Sequence, residues 1–137
     1  GWSESYEMEI FTDKRSQKYY ELDNNNNVEV CWLFSKCKCQ FRFRGIARVD
    51  LGSDKIHHWK QLNKKSKLMW RWPKPGDKFL SDIKNDYSHE TNEDVSENFA
   101  IIKIEITHVD KLTLSKPMHI RRKWIKNKHW TEERINP

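Results

Sequence analysis

The chain has 137 residues, which suits one domain able to bury roughly two thirds of its unfolded surface. Its 26 Lys and Arg against 20 Asp and Glu give a net charge of +6 and a pI near 9.2, which favours an anionic partner. The two signs are interleaved along the sequence, so the one-sided basic stripe of a dedicated nucleic-acid binder is missing.

No apolar run approaches the roughly 20 residues of a membrane span, and Gly1-Trp2-Ser3-Glu4 is no signal peptide. A soluble protein is expected. Cys31, Cys37 and Cys39 are odd in number and close together, which suits a reducing cytoplasm better than a disulfide framework. Cys37-Lys38-Cys39 lacks zinc-knuckle spacing, and no metal site is expected.

In chain order, Tyr6, Met8 and Ile10 alternate with Glu7 and Glu9 as in a half-buried strand. The run Phe11-Thr12-Asp13-Lys14-Arg15-Ser16-Gln17-Lys18 follows, and Tyr19, Tyr20 and Leu22 supply the apolar positions of a short helix. Ser16 then sits near a helix start, where free backbone N–H groups favour an anion. Arg15 offers a fork to phosphate oxygens and Lys18 a point charge one turn on. By itself such a run also describes an exposed basic helix cap.

Asp23 and the asparagines 24–27 form a turn into Val28–Phe34, which reads as a buried strand. Gln40–Asp50 alternates cleanly, with Phe41, Phe43, Gly45, Ala47 and Val49 on one face. A helix is expected from Ser53, as its cap, to about Leu62, with Ile56, Trp59 and Leu62 on one side. A second helical turn carries Leu68, Met69 and Trp70 and is stopped at Trp72-Pro73-Lys74-Pro75-Gly76. Residues 77–98 are polar and acidic and are expected to form a mobile surface loop or lid.

Phe99–Val109 is a second strong strand, and short strands are expected at Leu112–Leu114, His119–Ile125 and Trp130–Ile135. Strands in succession without regular helical crossovers favour an antiparallel barrel. Arg42 and Arg44 read as a solvated strand face, His57-His58 as surface, and Trp59, Trp70, Trp72, Trp124 and Trp130 as packing. No triad, P-loop or dinucleotide-binding glycine pattern occurs, and four glycines exclude a glycine-rich phosphate loop.

Several separated pieces together resemble the FMN-binding split barrel of the pyridoxamine 5′-phosphate oxidase-like proteins. Phe11–Lys18 is similar to the family's aromatic-Thr followed by a phosphate clamp. Cys39-Gln40-Phe41-Arg42-Phe43-Arg44-Gly45-Ile46-Ala47 resembles its Gln-containing strand ending in Gly-x-Ala. Arg121-Arg122-Lys123-Trp124, Trp130 and Arg134-Ile135-Asn136-Pro137 resemble its closing pattern. Met69–Gly76 is similar to a branch of the superfamily whose substrate is not generally established.

The resemblance implies a mainly β, antiparallel split barrel with a few short helices. Residues 1–137 would form a single FMN-binding domain lacking the family's N-terminal strand and the phosphate-binding arginine on it. It implies FMN as cofactor, held by Phe11, Thr12, Arg15, Ser16, Lys18, Gln40 and Arg121, with His119 at the substrate side. Gln40 would contact the flavin ring, and Arg121 would reach the flavin across a homodimer interface. Gln17 replaces an arginine of the clamp, Pro117 the arginine of the oxidases' Arg-x-His motif, and Leu112 a flavin-contacting tryptophan. An FMN-dependent oxidoreductase acting on a small molecule is the expected function. The alternatives are a flavin-binding module without turnover and a basic β-barrel that binds nucleic acid through Arg42 and Arg44.

Overall fold

The structure is a computed structural model and describes residues 1–3, 7–50, 52–79 and 94–137. Tyr6 and most of the acidic 77–98 stretch lie outside the described residues. The described elements run β1 (Met8–Asp13), α1 (Gln17–Asn24), β2 (Asn27–Phe34), β3 (Cys39–Asp50), α2 (Ser53–Gln61), α3 (Lys64–Met69), β4 (Phe99–Thr113), β5 (Ile120–Ile125), a 3-10 turn (Lys126–Lys128) and β6 (Glu133–Ile135). The strands join one mainly antiparallel sheet in the order β2-β3-β4-β5-β6, with β1 also pairing to β4. None of the described helices is long and apolar enough to cross a membrane.

The described residues group into two compact units. The first comprises residues 1–8, 26–47 and 104–137, and the second 9–25 and 48–103. In the first, β2 and β3 form a hairpin from Asn27↔Ile46 to Phe34↔Cys39. Its turn closes with Lys38 N–H donating to the Ser35 carbonyl at 3.1 Å. The alternation read in β3 is present: Phe43, Gly45 and Ala47 are buried while Arg42, Arg44 and Ile46 face outward. Phe43 stacks on Phe41 and meets the edge of Trp2. Gly45 is required there, because a Cβ would lie 2.2 Å from the Glu105 carbonyl oxygen, so the two strands approach where only glycine fits.

In the second unit Trp59, Phe99 and Ile101 form a fully buried cluster, with Leu62, Trp70 and Val95 packed against it. Trp59 reaches this core from α2 as its spacing predicts, but Ile56 is half exposed. The helix begins one residue earlier than expected, with Gly52 rather than Ser53 at the cap position. Helix α3 is capped by Asn63, whose side chain accepts the Ser66 amide.

Other expectations need correction. The strand over Val28–Phe34 exists but is largely exposed, because β2 ends the sheet order and pairs on one side only. Helix α1 buries none of its residues. The strand from Phe99 continues without a break to Thr113, absorbing the separate strand expected at 112–114. His129 and Trp130 have left-handed backbones (φ 55° and 56°), which ends any extended run there and confines β6 to Glu133–Ile135.

The least expected element is Lys103. Alternation puts its side chain on the face opposite Ile102 and Ile104, and residues Phe99–Ile104 of β4 are buried on both faces, as in a covered central strand. Lys103 Nζ is 2.9 Å from Asp50 Oδ2 and 3.6 Å from Glu9 Oε1, and it also hydrogen-bonds Asp54. Glu9 in turn meets His58 Nε2 at 3.2 Å. His58 is therefore drawn inward, contrary to the surface reading of His57-His58.

Hydrogen bonds to Asp54 and Asp50 outweigh burial and hold the Lys103 ammonium well above the ordinary lysine range. A raised folded value gives a contribution to stability that is intact below about pH 10.4 and is lost as pH climbs through the folded value. Lys103→Met leaves the surrounding carboxylates without their shared cation and should cost about 3 kcal/mol at pH 8, measured by urea denaturation. Between pH 9 and 11.5 the native chain should lose stability that the variant already lacks. Equal slopes for the two proteins would refute the network's role.

Candidate functional site

The turn from β1 into α1 is built by Asp13. Its carboxylate accepts the Arg15 amide (2.8 Å) and is forked by Arg15 Nε (3.0 Å) and Nη2 (2.8 Å). Its carbonyl accepts both the Ser16 amide (3.0 Å) and the Ser16 hydroxyl (2.6 Å). An aspartate that binds the backbone two residues on is a standard way to seed such a turn. Burial alone would raise the Asp13 carboxyl, but the side-chain and backbone hydrogen bonds from Arg15 outweigh it and leave the group below the usual aspartate range.

This turn leaves the start of α1 open. Ser16 occupies the N-cap position, yet its hydroxyl is directed to Asp13 and caps no helical amide. The amides of the first turn, at Gln17 and Lys18, have no intrahelical acceptor and no side-chain cap. Thr12 and Ser16 are both buried, with their hydroxyl oxygens 3.3 Å apart. Lys18 is an exposed cation on the same first turn. Helix-start amides, an ammonium and the Thr12 hydroxyl are donors that a phosphate monoester needs, and the Ser16 hydroxyl joins them once it turns from the Asp13 carbonyl, so the residues present fit the phosphate of FMN.

The rest of the run surrounds these donors. Arg15, expected to fork a phosphate, instead forks Asp13 and donates from Nη2 to the Trp72 carbonyl at 2.9 Å. It fixes the turn and the Trp72 backbone, its charge being balanced by Asp13. Phe11 lies on β1, partly exposed, with its ring 5.2 Å from His58 and 5.3 Å edge-on to Phe99. Beside it the indole N–H of Trp70, whose ring packs on Phe99, is buried without a hydrogen-bond partner.

The remaining predicted residues belong to the first unit. Gln40 is half-buried near the start of β3, opposite Leu33. Arg121 on β5 stands opposite Leu112 and forks Asp110 through Nε (3.1 Å) and Nη2 (2.8 Å). His119 is exposed immediately before β5. Arg42 and Arg44 lie on the outer face of β3 and pair with Glu29 at 3.9 and 2.6 Å.

Sequence reasoning singled out neither Asp13 nor Asp110 as a functional residue. Asp13 carries a local signal, an aspartate two residues before the amide it accepts. The Arg121–Asp110 pair depends on strand register, which no local pattern gives. His58 and Glu9 are likewise joined only by tertiary placement.

These features define a class. The sheet is that of the split-barrel FMN-binding proteins, and residues 1–51, which include the phosphate-type donor set, match the family model described as pyridoxamine 5′-phosphate oxidase, FMN-binding domain. The whole chain is similar to a pyridoxamine 5′-phosphate oxidase-related, FMN binding protein from Nostoc punctiforme PCC 73102, with 25% identity, TM-score 0.83, and coverage of 100% of this chain and 77% of that one.

It also resembles PhzG from Burkholderia lata 383, solved in complex with tetrahydrophenazine-1-carboxylic acid (15% identity, TM-score 0.77, 94% and 68% coverage). A more distant likeness is the General Stress Protein 26 from Bacillus anthracis str. Sterne (18% identity, TM-score 0.51, 97% and 73% coverage). The last two likenesses concern the fold alone. No curated protein matches the chain significantly. The resemblance carried by the motifs is thus borne out: residues 1–51 match the family's FMN-binding domain and the whole chain is similar in structure to a protein related to that family.

Proposed function

We propose that the protein binds FMN with its phosphate at the start of α1 and serves as an oxidoreductase for a small molecule. The observation that carries this reading is the uncapped start of α1 beside the buried Thr12 and Ser16 hydroxyls, within the segment that matches an FMN-binding domain. Thr12, Ser16, Lys18 and the first helical amides bind the phosphate. Asp13 and Arg15 hold the turn in place. Phe11 offers its exposed ring face to the flavin side.

Bound there, FMN would supply two-electron redox chemistry from its isoalloxazine ring. By family resemblance, Gln40 hydrogen-bonds the ring, Arg121 contacts the flavin from a partner subunit, and His119 orients substrate. In the single chain Arg121 is engaged by Asp110, so this role has Asp110 aiming the guanidinium. The nucleic-acid alternative is disfavoured because Arg42 and Arg44 are paired with Glu29.

The active form in this reading is a homodimer with flavin at the interface. What supports it is the end strand β2, where Trp32 and Phe34 stack on one face and Leu33 stands on the other, 42%, 37% and 65% exposed, apolar side chains at an open sheet end of the kind that partners cover. A cytoplasmic setting accords with Cys31, Cys37 and Cys39 all being unpaired.

Lys18→Ala removes a charge-assisted contact and should weaken FMN binding about tenfold, or about 1.5 kcal/mol, in a flavin-fluorescence titration. Lys36→Ala, a charge change in the β2–β3 turn, should leave it unaltered. Unchanged affinity in Lys18→Ala would remove the phosphate assignment. Leu33→Asp should shift sedimentation from dimer to monomer with the near-ultraviolet dichroism of the fold retained; a native chain that sediments as a monomer would overturn the dimer. Oxygen uptake by the FMN-loaded protein with candidate small substrates separates an oxidase from a silent binder.

A further inference from the structure

We infer that the face of α3 carries a second binding site, a groove for a small planar anion such as an aromatic carboxylate or aryl phosphate. The groove is shallow and open to solvent, holds about 710 Å³ and is lined by Asn63, Lys64, Lys65, Ser66, Leu68, Met69 and Trp72. That volume lies within the range of small-molecule sites.

The local sequence explains the concavity. Asn63 caps α3, and Trp70, Arg71 and Trp72 each donate a backbone bond three residues back, to Lys67, Leu68 and Met69. The chain thereby wraps over the end of the helix before Pro73 stops it. The Trp72 carbonyl is held by Arg15 Nη2 at 2.9 Å. A ring that is half exposed is therefore carried on a fixed backbone.

The lining specifies the ligand. Met69 and Trp72 are 45% and 51% exposed, adjacent in one concavity rather than scattered singly. A flat indole face and a polarizable thioether suit a planar, unsaturated body. Lys67 turns the other way, over Trp59 at 5.8 Å, leaving Lys64 and Lys65 as the groove's cations. Among the described residues no carboxylate lines the groove and neither lysine pairs with one. An anionic group on the ligand completes that charge.

A small ligand is favoured over a nucleic-acid strand because the neighbouring Arg15 is forked by Asp13 and Lys103 is ringed by carboxylates. A strand would need a continuous track of free cations. The groove requires no flavin, so its failure and that of the FMN reading are separable.

The test uses the full chain, with and without FMN, titrated with 1-naphthoate and with its uncharged counterpart 1-naphthalenemethanol. Calorimetry gives affinity, and methyl and indole NMR give location. Saturable naphthoate binding is expected, with shifts at the Met69 methyl and Trp72 indole and with naphthalenemethanol about fivefold weaker, the scale of a partly exposed ion pair. Lys64→Ala combined with Lys65→Ala should weaken naphthoate about fivefold and leave FMN affinity unchanged, and Trp72→Ala should weaken both naphthalene ligands about tenfold.

Absence of saturation, shifts elsewhere, or equal affinity for the two naphthalenes would overturn the proposal. So would displacement of naphthoate by a tighter-binding single-stranded oligonucleotide, which would assign the face to nucleic acid.

Discussion

The Asp13–Arg15 fork is the constraint on which the candidate site depends. It is short-range, linking residues two apart, yet it closes the β1–α1 turn from both ends. The carboxylate gathers the Arg15 amide and guanidinium, while the Asp13 carbonyl takes up the Ser16 amide and hydroxyl. Were the Ser16 hydroxyl free to cap α1 in the ordinary way, the helix start would satisfy itself. Because the turn claims that hydroxyl, the first amides of α1 stay available to an external acceptor. The same arginine reaches the Trp72 carbonyl, so one guanidinium steadies both the phosphate-type donors and a wall of the groove on α3.

Electrostatic balance in the second unit follows a similar economy of groups. Lys103 is buried among Asp50, Asp54 and Glu9, and Glu9 passes the interaction on to His58, whose ring lies beside Phe11. A buried ion pair is weak evidence for net stability, but removing one partner of it is costly. The network's consequence is positional: it ties β4, the end of β3, α2 and β1 through side chains near the exposed ring of Phe11. A position that depends on shared charge in this way is sensitive to any change that leaves a carboxylate alone.

Much of this was legible in the sequence. The period-two pattern of β3 placed Phe43, Gly45 and Ala47 inward, and helix spacing placed Trp59 in the core, because both signals are local. The donor set at the start of α1 was legible for the same reason. Burial of whole elements was not. Val28–Phe34 reads as interior by composition, but β2 ends the sheet and bares Trp32, Leu33 and Phe34, a matter of strand order rather than content. The burial of Lys103 could not be read locally, since its carboxylate partners at positions 9, 50 and 54 are distant in sequence. The fork between Arg121 and Asp110 likewise depends on the β4–β5 register.

The relationship to FMN-binding proteins and the physical reading of the β1–α1 turn meet in one claim: the chain recognises its flavin through the phosphate. Comparing FMN with riboflavin, which has the same ring and ribityl chain but no phosphate, isolates that claim. Titration of the purified chain by flavin-fluorescence quenching should show FMN binding about 100-fold more tightly than riboflavin, the sum of one or two charge-assisted contacts and the helix-start amides. Equal affinity for the two flavins would contradict the account, whatever the fold.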